Sequence, residues 1–470
     1  MLVDELIYQI RQDFQLPPTK EQGDAMHAFA RFVCDRQPYV AMILRGSAGT
    51  GKTTLAAAIV RTMLRLEQKV VLLAPTGRAA KVFSLYSGCP ASTIHRHIYV
   101  QRTFDAGGGT FQLNYNKHRD TLFIIDESSM ISNSYSGSPF GSGCLLDDLM
   151  QYIYQGDNCR ALFIGDRAQL PPVGEEESPA LSRIAIEGYG MTVYECDLNE
   201  VLRQSQESGI LWNATQIRGA WSEERGVRVD FGFPDIHRVP GNELIEALTT
   251  SYSRVGMDDT IVITRSNKLA NIYNLGIRNQ ILDREEELCR GDRLMVVKNK
   301  YLPRVPNIPN NQNTPTALDF IANGDIAIVQ RVRNVRELYG FRFADVLLSF
   351  PDYDGQELQQ TVILDTLTSE APALTRQQQE QLFQAIMEDY ADIPYKRERI
   401  KKIKEDPYYN ALQVKYAYAV TCHKAQGGQW SHVYIDQGYM TDEMVNEDYY
   451  HWLYTAFTRA TEQLFLVNWR

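Results

Sequence analysis

Residues 46–53 read Gly-Ser-Ala-Gly-Thr-Gly-Lys-Thr, and this octapeptide restricts the surrounding fold more than any other stretch of the 470-residue chain. A glycine-rich loop ending in lysine and a hydroxyl wraps its N–H groups around phosphate oxygens only when a strand leads into it and a helix leads out. Both flanks comply. Tyr39 to Leu44 is a short apolar run suited to a buried strand, and Thr53 to Leu66 has the Ala and Leu content of a helix. The loop residues Gly46, Ser47, Ala48, Gly49, Thr50, Gly51, Lys52, Thr53 and Thr54 are expected to cradle phosphates. Within them Lys52 neutralises the β and γ oxygens, and Thr53 ligates Mg²⁺. The expected ligand is a nucleoside triphosphate.

Such a length exceeds one ordinary core, so two or three domains are expected. The N-terminal segment mixes Asp4, Glu5, Arg11 and Asp13 with apolar positions, and no run of eighteen apolar residues occurs. The sequence therefore predicts no membrane partner and a cytoplasmic protein. Seven scattered cysteines without a CxxC pair read as reduced thiols. A net charge of −10 argues against coating nucleic acid through bulk charge, while leaving room for a narrow basic groove. Lys396, Arg397, Arg399, Lys401, Lys402 and Lys404 cluster in one short stretch, which taken singly reads as a solvated face.

Four apolar strands recur in the first half, at 39–44, 70–74, 121–125 and 161–164, each followed by a turn or helix signal. That alternation predicts an α/β fold with a doubly wound parallel sheet. Residues 99–117 read as a β-hairpin with a glycine tip, and 132–143, rich in Ser and Gly, as a mobile surface loop. A second α/β set is expected from Val193, with strands at Thr260–Thr264, His432–Ile435 and Gln463–Val467. Between Tyr301 and Asn410 the composition changes. Asp325–Arg333 and Phe341–Phe350 alternate like strands of a small antiparallel barrel, and Thr375–Lys404 reads as a helical stretch. This region is expected to be an insertion.

Leu122–Ile125 delivers Asp126 and Glu127 to the end of a buried strand, where Asp126 can hold Mg²⁺ and Glu127 can take a proton from an attacking water. After the strand at 161–164, Gln169 is expected beside the γ-phosphate.

Further blocks follow in order: Thr19-Lys20-Glu21-Gln22, Ala74-Pro75-Thr76-Gly77-Arg78, Thr93-Ile94-His95, Leu198 to Gln204, Thr421-Cys422-His423-Lys424-Ala425-Gln426-Gly427 and Tyr454 to Ala460. Together they resemble the superfamily 1B DNA helicases of the RecD-like group. The resemblance implies two RecA-like P-loop domains, a β-hairpin pin in the first and an SH3-like β-rich insertion in the second. Its boundaries are 1–98 and 119–192 for the first domain, 99–118 for the pin, 193–300 and 411–470 for the second domain, and 301–410 for the insertion. It implies that Gln22 contacts adenine, that Gln426 and Gly427 couple nucleotide to DNA, and that Arg203 and Arg459 reach the ATP as catalytic arginines beside Lys52, Glu127 and Gln169. Pro75, Thr76, His95, Thr421 and His423 would grip DNA, and Phe104 or Phe111 would stack against the fork. The implied protein is a monomer that uses ATP and Mg²⁺ to move 5′ to 3′ on single-stranded DNA and acts on 5′-tailed duplex or forks. Its rivals are an RNA-directed or complex-remodelling ATPase and a nucleotide-dependent clamp. Where many members carry a glutamate toward the ribose, this chain has Gln429, so its preference for ATP over dATP is open.

Overall fold

The structure, a computed structural model, describes residues 2–105, 108–135, 140–201, 208–223, 228–302 and 320–469. Its first sheet runs in the order Ala91–Thr93, Lys69–Ala74, Thr121–Ile125, Arg160–Gly165, Val40–Gly46, Thr192–Leu198, with every neighbour parallel. Val40–Gly46 and Thr121–Ile125 are buried throughout, because helices cover both faces. Leu44, Ile124 and Leu162 pack with Phe29 and Ile59 in one core, and Ile43, Phe123 and Phe163 with Leu149 and Ile153 in another.

The strand Thr192–Leu198 corrects the expected boundary at residue 193, since it belongs to the first sheet. Arg45 explains why. Its buried guanidinium is held by Asp197 at 2.5 Å and Glu195 at 2.8 Å, both on that strand. Removing either partner would leave a buried charge uncompensated.

The second sheet runs Ala419–Thr421, Thr260–Thr264, Trp430–Asp436, Ala460–Val467, Ile236–Val239, again all parallel. Its first and last members are too short to leave a sequence pattern. A closed barrel combines Arg293–Val296, Ile326–Leu338, Phe341–Phe350, Gln356–Ile363 and Leu412–Tyr416. The insertion is therefore wider than 301–410, because closure recruits one strand from either side. Its contacts are antiparallel except where Gln356–Ile363 meets Leu412–Tyr416 in parallel. The expected helical stretch at 375–404 is two helices, Arg376–Asp389 and Lys396–Glu405. Pro394 lies between them, lacking the N–H that a continuous helix needs.

The hairpin forms from Tyr99–Asp105 and Gly108–Leu113. Phe111 stacks on Phe140 of its own domain with centroids 4.4 Å apart, which favours packing over fork contact for that ring. The side chain of Phe104 lies outside the described residues. The start of the 132–143 loop is anchored, since Glu175 Oε1 accepts from Ser132 Oγ, Asn133 N–H and Ser134 N–H, each at 2.8 Å, and residues 136–139 of the loop lie outside the described residues. All seven cysteines are free thiols. Among the described residues no helix is long and apolar enough to cross a membrane.

Candidate nucleotide cleft and strand face

Gly46 ends its strand where a Cβ would stand 2.7 Å from Lys52 Cγ, so only glycine lets the lysine fold back over the loop. Gly51 adopts φ 80° immediately before the helix Lys52–Arg65, a left-handed turn that directs the loop amides inward. Lys52 Nζ and Thr50 Oγ1 both donate to the Ser47 carbonyl, at 3.0 and 2.8 Å. Gln22 is buried against this loop. Its Nε2 donates to Thr50 O at 3.0 Å, and its Oε1 accepts from Thr19 N–H at 3.0 Å as part of a capping box.

The Asp126 and Glu127 pair leaves the strand Thr121–Ile125 toward the same loop. Glu127 sits at φ 50°, and its N–H donates to Asp126 Oδ1 at 2.9 Å. Burial, and next the Glu127 carboxylate, push Asp126 up to about 7, while Lys52 opposes the shift. Such a carboxylate is poised for a nearby cation. With the Thr53 hydroxyl it would supply hard oxygen donors, and so small a set of protein ligands would suit Mg²⁺, a cation that completes its shell with phosphates and water. Gln169 Oε1 is buried without a hydrogen-bond partner. A free acceptor at that position is what a γ-phosphate neighbour needs to orient water.

The second half of the chain reaches this loop directly. Tyr454 hydroxyl donates to Asp166 Oδ2 at 2.6 Å and accepts from Ala48 N–H at 2.8 Å. Thr455 Oγ1 accepts from Leu170 N–H at 2.7 Å, and Gln426 Nε2 donates to Leu170 O at 2.7 Å. Arg218 hydrogen-bonds Ser47 Oγ. Arg459 is buried and held by its own half, donating to Thr455 O at 3.1 Å and Gly428 O at 3.2 Å. The sequence marked Gln426 and Arg459 here. It missed Tyr454, Thr455 and Arg218, the first two within a block whose only assigned member was the arginine. Arg203 lies outside the described residues.

On the adjoining face, Pro75-Thr76 and Ile94-His95 leave neighbouring strand ends, since Ala74 pairs with Thr93. Thr76 Oγ1 caps the helix Gly77–Ser87. His95 packs edge-on against Phe140, and burial lowers its ring to about 4, which keeps the imidazole neutral. From the other half, Thr421 precedes the short helix that carries the exposed His423. Gly427 packs under these groups: a Cβ there would meet Ala79 Cβ at 2.9 Å and Thr76 Oγ1 at 3.3 Å. The barrel touches the same helix. Lys81 Nζ donates to Pro351 O at 2.8 Å, and a Cβ on Gly77 would collide with Asp325 Oδ1. The basic helix Lys396–Glu405 runs beside the hairpin strand Tyr99–Asp105.

Residues 19–224 match the AAA domain family, and residues 416–467 match the UvrD-like helicase C-terminal domain; together these span over half the chain. The ATP-dependent DNA helicase dda of Enterobacteria phage T4 is 27% identical over 290 residues, covering 59% of this chain and 60% of that protein. The ATP-dependent RecD2 DNA helicase of Deinococcus radiodurans is 26% identical over 327 residues, covering 66% of this chain and 40% of that protein. The chain belongs to the superfamily 1B helicases. It spans at most 60% of the length of these two relatives. A Pif1 helicase from Bacteroides, crystallised with ADP-AlF3 and ssDNA, superposes at a TM-score of 0.47 with 14% identity, covering 97% of this chain and 93% of that one.

In this superfamily 1B helicase the phosphate loop, Asp126, Glu127 and Gln169 come from the first sheet. Gln426, Tyr454 and Arg459 come from the second. Gln426 contacts Leu170 and Tyr454 contacts Ala48 and Asp166, while Arg459 is held within its own half.

Proposed function

We propose that the chain is an ATP-driven DNA helicase that translocates 5′ to 3′ along a single strand and separates duplex ahead of it. The observation that carries this reading is the contact of Tyr454 with Ala48 and Asp166, which ties the phosphate loop to the half of the chain bearing Thr421 and His423. The names of the phage T4 and Deinococcus relatives support DNA as the substrate. Polarity follows from the family resemblance.

In the proposed cycle the loop amides and Lys52 bind the β and γ phosphates, and Gln22 borders the adenine. Thr53 and Asp126 would hold Mg²⁺, which would supply charge neutralisation at the phosphates. Gln169 orients a water, and Glu127 accepts its proton as the water oxygen bonds to the γ-phosphorus and the bond to ADP breaks. Arg459, and Arg203 with it, stabilise the charge that develops on the transferred group. Arg459 would leave Thr455 O and Gly428 O to do so. Loss of the γ-phosphate then loosens the cleft, and the grips at Thr76 with His95 and at Thr421 with His423 shift relative to each other. Hydroxyl and imidazole groups hold phosphates without reading sequence, as a translocating motor requires.

Single-stranded DNA is expected to raise ATP turnover strongly, and unwinding to require a 5′ tail. Equal turnover with and without DNA would exclude the motor. Unwinding of duplexes bearing only a 3′ tail would reverse the polarity. Stimulation by RNA alone would assign the strand differently.

A further inference from the structure

The strand ends of the second sheet carry a groove that no motif accounts for. It has a volume of about 540 Å³ and lies among Arg265, Lys268, Leu269, Ile272, Tyr439 and Met444. We infer that this groove is a further nucleotide subsite, seating one base of the single strand on Tyr439 and the adjoining phosphate on Arg265 and Lys268. This assignment rests on the DNA reading proposed above.

Position is the first support. Thr264 pairs with Thr421 on one side and with Asp436 on the other. Arg265 and Ser266 therefore leave the sheet at the same edge as Thr421-Cys422-His423, with Gln437 to Tyr439 on the far side. Ligands of open parallel sheets collect at this carboxyl edge. The groove thus continues the line of the proposed strand grips.

Its chemistry is the second. Tyr439 is 82% exposed and Ile272 58%, an outlay of apolar surface that packing within the chain does not use. Among the described residues Lys268 makes no ion pair and Arg265 meets no carboxylate; the Arg265 guanidinium lies 5.7 Å from the rings of both Tyr449 and Trp452. Ser266 Oγ accepts from Leu269 N–H at 3.1 Å and caps the 14-residue helix Asn267–Gln280, whose positive end adds to both cations. A flat exposed ring beside Lys268, which makes no ion pair, and Arg265, which touches Met440 and two rings and no carboxylate, matches a base and its phosphate, and stacking of this kind tolerates any base. An acidic aromatic peptide would satisfy the same cations, but only a nucleic acid strand is continuous with Thr421 and His423.

The test uses the full chain with fluorescein-labelled oligo(dT), measuring affinity by anisotropy across a salt series. Tyr439→Ala is expected to weaken binding about tenfold, and Tyr439→Phe to restore it. Lys268→Ala should reduce the salt slope by about 0.7, the share of one phosphate contact on a single strand. Oligonucleotides carrying 5-iododeoxyuridine should photocross-link at Tyr439. Wild-type affinity and slope in both alanine variants would overturn the subsite while leaving the motor intact. Binding of an Asp- and Phe-rich peptide that these variants abolish, with DNA affinity unchanged, would also overturn it in favour of a protein-docking groove. A wild-type chain unable to bind oligo(dT) would remove the DNA reading and this subsite together.

Discussion

The Arg78 guanidinium lies 4.1 Å above the Trp430 ring and donates to the Gln429 carbonyl at 3.1 Å. Arg78 follows Pro75-Thr76 on the strand face. Gln429 and Trp430 follow the turn whose Gly428 carbonyl holds Arg459. One short turn is therefore attached both to Arg459, the proposed catalytic arginine, and to Arg78, which follows the proposed DNA grip at Pro75-Thr76. Arg78→Met should leave ATP turnover without DNA within about twofold of wild type and lower its stimulation by single-stranded DNA. Steady-state ATPase with and without oligo(dT) measures both. Equal losses would instead mean that Arg78 only stabilises the domain contact.

Glu127 is the proposed acceptor of the attacking water's proton. Glu127→Gln keeps shape and removes the base, so turnover should fall by roughly 10²- to 10⁴-fold while ATP binding persists. Filter binding of labelled ATP, beside a phosphate-release assay, separates the two effects. Lost binding would assign Glu127 to holding the nucleotide.

Asp325 provides a stability test with a defined sign. Burial raises its carboxyl to about 7, although Ala322 N–H at 2.7 Å and Tyr353 hydroxyl at 2.8 Å both donate to Oδ2. The folded chain therefore holds a proton that the unfolded chain releases near pH 4. Stability from this group falls as pH rises from about 4 to 7, and the cost, on the order of 4 kcal/mol, is complete above that window. Asp325→Asn should raise the thermal midpoint at pH 8 and change it little at pH 4. Thermal unfolding at both pH values reads the difference, and an equal shift at both would refute the titration.

The hairpin is expected to matter to strand separation and not to fuel use. Deleting Ala106 to Thr110 should reduce unwinding of a 5′-tailed duplex yet spare DNA-stimulated ATPase. Loss of both would show that the hairpin chiefly braces its own domain, as the Phe111–Phe140 stack does locally.

Much of the fold was legible because fully buried strands leave continuous apolar runs, as Val40–Gly46 and Thr121–Ile125 do. Edge strands leave weaker marks. Thr192–Leu198 is fully buried only at Val193 and Leu198, and what ties it to the first sheet, its parallel pairing with Val40–Gly46 and the grip of Arg45 on Asp197 and Glu195, is non-local. Barrel closure by Arg293–Val296 and Leu412–Tyr416 joins segments over a hundred residues apart, which no local periodicity encodes. At the cleft, the loop, Asp126 and Glu127 were readable because their chemistry is local. Tyr454 was not, because its contacts with Ala48 and Asp166 exist only after the two halves meet.

Gly77 begins a helix, where many residues would serve, yet its place opposite Asp325 leaves no room for a side chain. The requirement for glycine is thus imposed by the inserted barrel and not by the helix itself. A chimera that exchanges this barrel for another would need to match the residue facing position 77. Grafting a bulkier loop there would disturb the helix that follows Pro75 and Thr76 even if both parts folded well alone.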